Sequence, residues 1–122
     1  MGGRQAMAPR PRATAPSDLM GREVVIEAGG CTGWHYHRVP LMAVVKSGVL
    51  TRILADGGVE VHTAGDTFVE PAGTDHVHLG RNTGTEPIVL LVTCDLAGDA
   101  PFAVPAPPPR GTPPCGCPEH RR

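Results

Sequence analysis

The sequence predicts an all-β fold, a sandwich or barrel of six to eight short strands, and three observations carry that expectation. Short apolar and β-branched runs recur at roughly ten-residue spacing from Glu23 to Asp95. Turn residues (Gly, Asp, Pro) separate the runs, and no segment sustains a 3.6-residue apolar period with caps. The 14 prolines agree with this division: three lie in 1–18, eight in 98–122, and only Pro40, Pro71 and Pro87 between. The expected organisation is therefore a flexible leader over 1–18, one compact domain over 19–97, and a Pro-rich tail, disordered or extended, over 98–122.

Taken in order, Glu23–Ala28 carries Val24, Val25 and Ile26 and ends at Gly29-Gly30. Leu41–Lys46 is an apolar run ended by Ser47-Gly48. Val49–Ala55 and Val59–Thr63 flank Asp56-Gly57-Gly58, a hairpin turn. Ala64-Gly65-Asp66 is a second turn, with Asp66 placed to bond local backbone N–H groups, and Thr67–Glu70 then runs into Pro71-Ala72-Gly73. Ile88–Thr93 is continuous in β-branched residues and leucine, the pattern of a strand buried on both faces. On Val59–Thr63 the alternation puts Glu60 and His62 opposite Val59 and Val61, so the two polar residues are expected on the solvent side.

Charge excludes several classes of partner. The segment 19–97 holds five basic and nine acidic residues, an acidic balance with no basic patch to read phosphates, so no nucleic-acid partner is expected. No apolar run reaches the ~20 residues of a membrane span, and 1–18 lacks the apolar stretch of a secretory signal. A cytoplasmic location follows as the default. Cys31, Cys94, Cys115 and Cys117 do not space out as a disulfide framework, and Cys115, Cys117 and His120 form too short a loop to fill a tetrahedral metal site. Only four residues are aromatic (Trp34, Tyr36, Phe68, Phe102), so the core must be Val, Leu, Ile and Ala, and a homodimer would cover apolar surface that so small a domain leaves exposed.

The chemistry concentrates in histidine. His35-Tyr36-His37 and His76-Val77-His78 are two His-x-His pairs, and in a strand residues i and i+2 share a face. One such pair reads as surface polarity; two about forty residues apart, each beside a glycine-rich turn, can converge imidazoles on one volume and suit a transition metal.

The surrounding residues resemble the two motifs of the cupin superfamily, and within it the small single-domain bacterial cupins. Gly30 to His35-Tyr36-His37, ending in Gly48, resembles the first motif, and Gly65, five residues, Pro71-Ala72-Gly73, two residues, His76 matches the second. The resemblance covers Glu23 to Leu96 and implies a double-stranded β-helix, a jelly-roll barrel, with one divalent transition metal (Fe, Zn, Ni, Mn or Cu) held by His35, His37 and His76. Two departures stand out. The acidic ligand of the first motif should fall at position 41 or 42, where this chain has Leu41 and Met42, and the asparagine expected near position 80 is Gly80, with Asn82 two places later.

Three neutral imidazoles leave a divalent metal its full charge, which favours an anionic or chelating small molecule. The expected function is oxygenase or Lewis-acid chemistry, that of a dioxygenase, isomerase or lyase, with His78 as the catalytic proton carrier; the alternative is a non-catalytic small-molecule sensor. His78 and Glu70 are the candidates for a fourth ligand, and Arg52 and Arg81 those for anchoring a substrate carboxylate. Parity counted from His37 puts Val39 and Leu41 inside and turns Trp34 and Tyr36 away from the metal.

Overall fold

The computed structural model describes residues 20–94 and 101–112. Nine strands form: β1 Met20–Ile26, β2 His35–Tyr36, β3 Leu41–Ser47, β4 Val49–Ile53, β5 Val59–Thr63, β6 Thr67–Glu70, β7 Leu79–Arg81, β8 Ile88–Cys94 and β9 Val104–Pro105. One 3-10 turn, Thr74–His76, is the only helical element among the described residues. Strand limits fall within a few residues of those read from sequence because turn residues enforce them. Gly48 shows how strictly: it has φ +86, and a Cβ there would lie 2.6 Å from the carbonyl oxygen of Pro87, so no side chain fits between β3 and β4.

Every pairing is antiparallel. One sheet has the order β1-β8-β3-β6, a second the order β5-β4-β7, and β2 pairs with β9. Neighbours that are distant in sequence, with consecutive strands crossing between sheets, make this a double-stranded β-helix, or jelly-roll barrel. The sheets close over Ile26, Leu41, Ala43, Val45, Leu50, Ile88, Leu90 and Val92, each buried. Burying one such aliphatic side chain contributes roughly 1.5–3 kcal/mol. Val39 and Leu41 point inward as parity requires, and Trp34 packs in a second cluster with Cys31 and Leu79.

Several expectations are corrected. Ile88–Cys94 is buried on one face only: Ile88, Leu90 and Val92 face the core, whereas Leu91 and Thr93 are exposed. With Val25, Met42 and Val69, Leu91 gives the outer side of the four-stranded sheet an apolar surface. On β5 the faces are reversed. Val59 and Val61 are 61% and 59% exposed, and Glu60 and His62 turn inward. The cause is register: Glu60 lies opposite Arg52 on β4, whose Nη1 donates to Glu60 Oε1 at 2.6 Å, and His62 stacks on Phe68. Cys31 is disulfide-bonded, against the expectation for the cysteines, and Cys94 is buried.

Asp56 and Asp66 do the turn work expected of them, accepting from Gly58 N at 2.8 Å and Thr63 N at 2.7 Å. The 1–18 leader and the Cys115, Cys117 and His120 group lie outside the described residues. Of the 98–122 stretch, 101–112 is described, and it lies along the barrel through β9. No described helix is long and apolar enough to cross a membrane.

Candidate metal centre

The chain between β1 and β2 runs antiparallel to the chain around β7. Thr32 N donates to Gly80 O, and Asn82 N donates to Gly30 O, both at 2.9 Å. At the head of this ladder His35 and His78 exchange both backbone hydrogen bonds, at 3.0 and 2.9 Å. Two residues beyond His35, His37 returns to the same face. Ring nitrogens of His35, His37 and His78 lie within 4.8 Å of one another. The ring centroids are 4.9 Å apart for His35 and His37, 4.4 Å for His35 and His78, and 5.2 Å for His37 and His78.

The protonation of these rings follows from their partners. The Nδ1 of His35 lies 2.8 Å from the carbonyl oxygen of Gly33, that of His37 2.9 Å from Phe102 O, and that of His78 2.8 Å from His76 O. A carbonyl can only accept, so each Nδ1 carries a proton, and Nε2 is the nitrogen each ring has left to ligate. Burial, with the adjacent His78, pushes His35 down to about 4 and keeps it neutral.

A carboxylate faces two of these lone pairs. Glu70 Oε1 is 3.0 Å from His37 Nε2, and Oε2 is 3.0 Å from His78 Nε2. Burial raises the Glu70 carboxyl, but the two imidazoles and Arg52 outweigh it and hold the group well below the usual carboxylate range. Both Nε2 atoms are buried, and the Glu70 oxygens are the polar atoms that face them. Two imidazole nitrogens at 3.0 Å from an ionised carboxylate need a positive charge between them, which a ring proton or a metal ion supplies, and the donor set of three imidazoles and a carboxylate fits a divalent transition metal.

Glu70 is itself anchored from behind. Arg52, 5% exposed, donates through Nε to Glu70 Oε2 at 3.1 Å and through Nη1 to Glu60. Arg52 is thus committed to two carboxylates and does not serve as the anchor for a substrate carboxylate.

The second expected pair divides. The sequence set His76 with His35 and His37 and left His78 to move protons; the structure places His78 with the first pair, and His76 is exposed at the end of the 3-10 turn. The i, i+2 rule does not extend back through that turn, where Gly73 at φ 111 redirects the chain and His76 N bonds Gly73 O. The sequence held a signal for this. Asn82 stands two places beyond the position expected for the motif asparagine, and a two-residue lengthening of the turn moves histidine and asparagine together, from 76 and 80 to 78 and 82. Asn82 is buried and donates through Nδ2 to Ile26 O and Glu86 O. A Cβ at Gly80 would already meet Leu50, Thr32 and Ile26.

Beside the cluster lies a cavity of about 440 Å³, bordered by Arg52, Asp56, Glu60, Asp75, His76 and His78 among others. It brings the exposed His76 imidazole to the same space as one wall of the buried cluster.

A jelly-roll barrel holding inward imidazoles and a carboxylate is the architecture of a metal-site β-barrel, and comparison with known proteins gives the family. Residues 22–94 match Cupin_2, the cupin domain, and the chain belongs to that family. Similar solved structures include a cupin 2 conserved barrel domain protein from Salinispora arenicola, with 22% identity and a TM-score of 0.59 over 72% of this chain and 71% of that one. The polyketide cyclase RemF from Streptomyces resistomycificus matches at 20% identity and TM-score 0.61, over 72% of this chain and 60% of that one. The DMSP lyase DddQ from Ruegeria pomeroyi matches at 21% identity and TM-score 0.64, over 75% of this chain and 45% of that one. The chain therefore spans well under two thirds of the lyase and somewhat under two thirds of the cyclase. No curated protein matches it.

Proposed function

We propose that this cupin binds one divalent transition metal through Nε2 of His35, His37 and His78, with the Glu70 carboxylate beside them, and acts on a small chelating molecule that enters from the adjoining cavity. The observation that carries this reading is the convergence of three rings whose Nδ1 atoms are each tied to a backbone carbonyl, with two of the Nε2 atoms 3.0 Å from the Glu70 carboxylate. The bound metal would supply Lewis-acid polarisation of a ligand oxygen or, as iron, redox chemistry with dioxygen.

The chain's own residues define the rest. Glu70 halves the charge expected of a purely three-histidine centre, which moves the preferred ligand from a strongly anionic one to a chelator that is neutral or singly charged. Backbone carbonyls at Gly33, Phe102 and His76 fix the three rings in the ligating tautomer. His76, exposed on the cavity wall, takes the proton-carrying role expected of His78.

Elemental analysis of the wild-type, His78→Ala and His76→Ala proteins tests the assignment. One metal per chain is expected in the wild type and in His76→Ala, with loss in His78→Ala; metal retained in His78→Ala and lost from His76→Ala would overturn it. Screening the loaded protein against diketones, thiols and hydroxy acids then separates turnover, with His76→Ala slowed, from a sensor that binds without product.

A further inference from the structure

The centre described so far takes one of its fixing groups from outside the barrel strands. His37 is 2% exposed, and the acceptor for its Nδ1–H is the carbonyl of Phe102, 65 residues away in sequence. The Phe102 ring packs edge-on against the same imidazole at 5.2 Å between centroids, and the Arg22 guanidinium lies over the Phe102 ring, 4.3 Å from its centroid. Immediately after, β9 pairs with β2, setting Pro105 opposite His35 and Val104 opposite Tyr36, and Ala106 N donates to Trp34 O at 3.0 Å. The stretch 101–112 thus meets both histidines of the first pair, His37 at its ring and His35 by lying opposite it in register, with its hydrogen bond to the adjacent Trp34.

We infer that residues 101–112 form a latch that positions the metal centre: the Phe102 carbonyl sets the tautomer of His37, and β9 holds the His35 backbone in place. The inference rests on the metal reading above. Its chemistry is specific. Without an acceptor at Nδ1, a neutral imidazole is free to carry its proton on Nε2, the nitrogen that must be bare to ligate. Partners of this kind are worth about 10–100-fold in metal affinity where they have been removed from other sites. The sequence suits a latch that docks at small entropic cost, since Pro105, Pro107, Pro108 and Pro109 keep the backbone extended before it meets β2. Phe102 and Val104 supply the apolar contacts, being half-buried where most of their neighbours are exposed.

Two variants of the full chain test it. Ala106→Pro removes the amide that bonds Trp34 O and, between two existing prolines, leaves the extended backbone allowed. Phe102→Ala removes the ring that lies on His37 and leaves the carbonyl. Two readouts are taken: zinc affinity by competition with a chelator, and the His37 tautomer from ring ¹⁵N shifts of the metal-free protein. We expect Ala106→Pro to weaken zinc binding about 10–100-fold and to move His37 from the Nδ1–H form to a mixture, with Phe102→Ala giving a smaller change in the same direction. His37 held as Nδ1–H with zinc affinity within twofold of wild type in both variants would overturn the latch. The tautomer readout needs no metal. If the wild type binds no zinc while the variants still shift His37, the latch stands and the metal reading fails. If Ala106→Pro does not fold, Phe102→Ala decides alone by the same two criteria.

Discussion

Acid should destabilise the metal-free protein over a window set by one residue. His35 has its value lowered from 6.5 to about 4, chiefly by burial, so the unfolded chain takes up this proton before the folded one does. Stability from His35 is therefore complete above pH 6.5 and is lost as pH falls towards 4. At about 1.4 kcal/mol per pH unit the full loss is about 3 kcal/mol, a large fraction of the ~5–15 kcal/mol typical of a small domain. Glu70, held below the usual carboxylate range, behaves as a depressed acid: its contribution is present above the ordinary carboxylate value and is lost only further into acid, so the two windows separate. Urea unfolding of chelator-treated protein between pH 7.5 and 4 is the assay, with His35→Asn as the control that cannot titrate. The wild-type curve should fall relative to the variant by about 3 kcal/mol between pH 6.5 and 4. Parallel curves would refute the reasoning, because they would mean that His35 is solvated in the native protein and its lone pair is not held ready inside the barrel.

Glu70→Gln should lower zinc affinity by about 10–100-fold while leaving the fold intact by circular dichroism; unchanged affinity would remove the carboxylate from the centre. Arg52→Met leaves Glu60 and Glu70 without their shared cation, and the loss of a buried partner should cost about 3–5 kcal/mol in urea unfolding, with a loss under about 1 kcal/mol counting against a structural role. We propose that the outer face carrying Val25, Met42, Val69 and Leu91 packs against a second copy of the chain. Light scattering should then report a dimer for the wild type and a monomer for Met42→Glu, and a monomeric wild type would reject the dimer.

The parts of this fold that sequence made legible are those written in local chemistry. Asp56, Asp66 and the glycines mark chain reversals by what their own backbone and side chains permit, so strand limits such as Val59–Thr63 and Thr67–Glu70 are recovered as read. Parity was reliable wherever the interior is apolar, as at Val39 and Leu41. It failed at β5 because the interior there is polar: Arg52 draws Glu60 inward, and hydrophobicity no longer reports the buried side. The histidine assignment failed for a different reason. Counting by twos from His76 assumes one unbroken strand, and the 3-10 turn breaks it just before the backbone ladder begins at the His35–His78 pair.

The missing carboxylate of the first motif shows what local reading cannot reach. Leu41 occupies a position where an acidic residue was expected, and the register of β3 with β6 sets Glu70 directly opposite Leu41. Opposed residues on one face of an antiparallel pair have Cβ atoms about 4.5–5.5 Å apart, so a glutamate from either strand can reach the same volume. Both residues are buried, and the Glu70 oxygens reach the His37 and His78 nitrogens. Nothing within either strand announces that pairing, because the β4–β5 hairpin intervenes and register is a property of the assembled sheet. Delivery from β6 also gives the carboxylate a support that Leu41's position does not show: Arg52 on β4 binds Glu70 from behind, and Glu60 on β5 binds Arg52. A carboxylate thus reaches the histidine cluster from β6 instead of β3, and it links that cluster to the second sheet through one buried arginine.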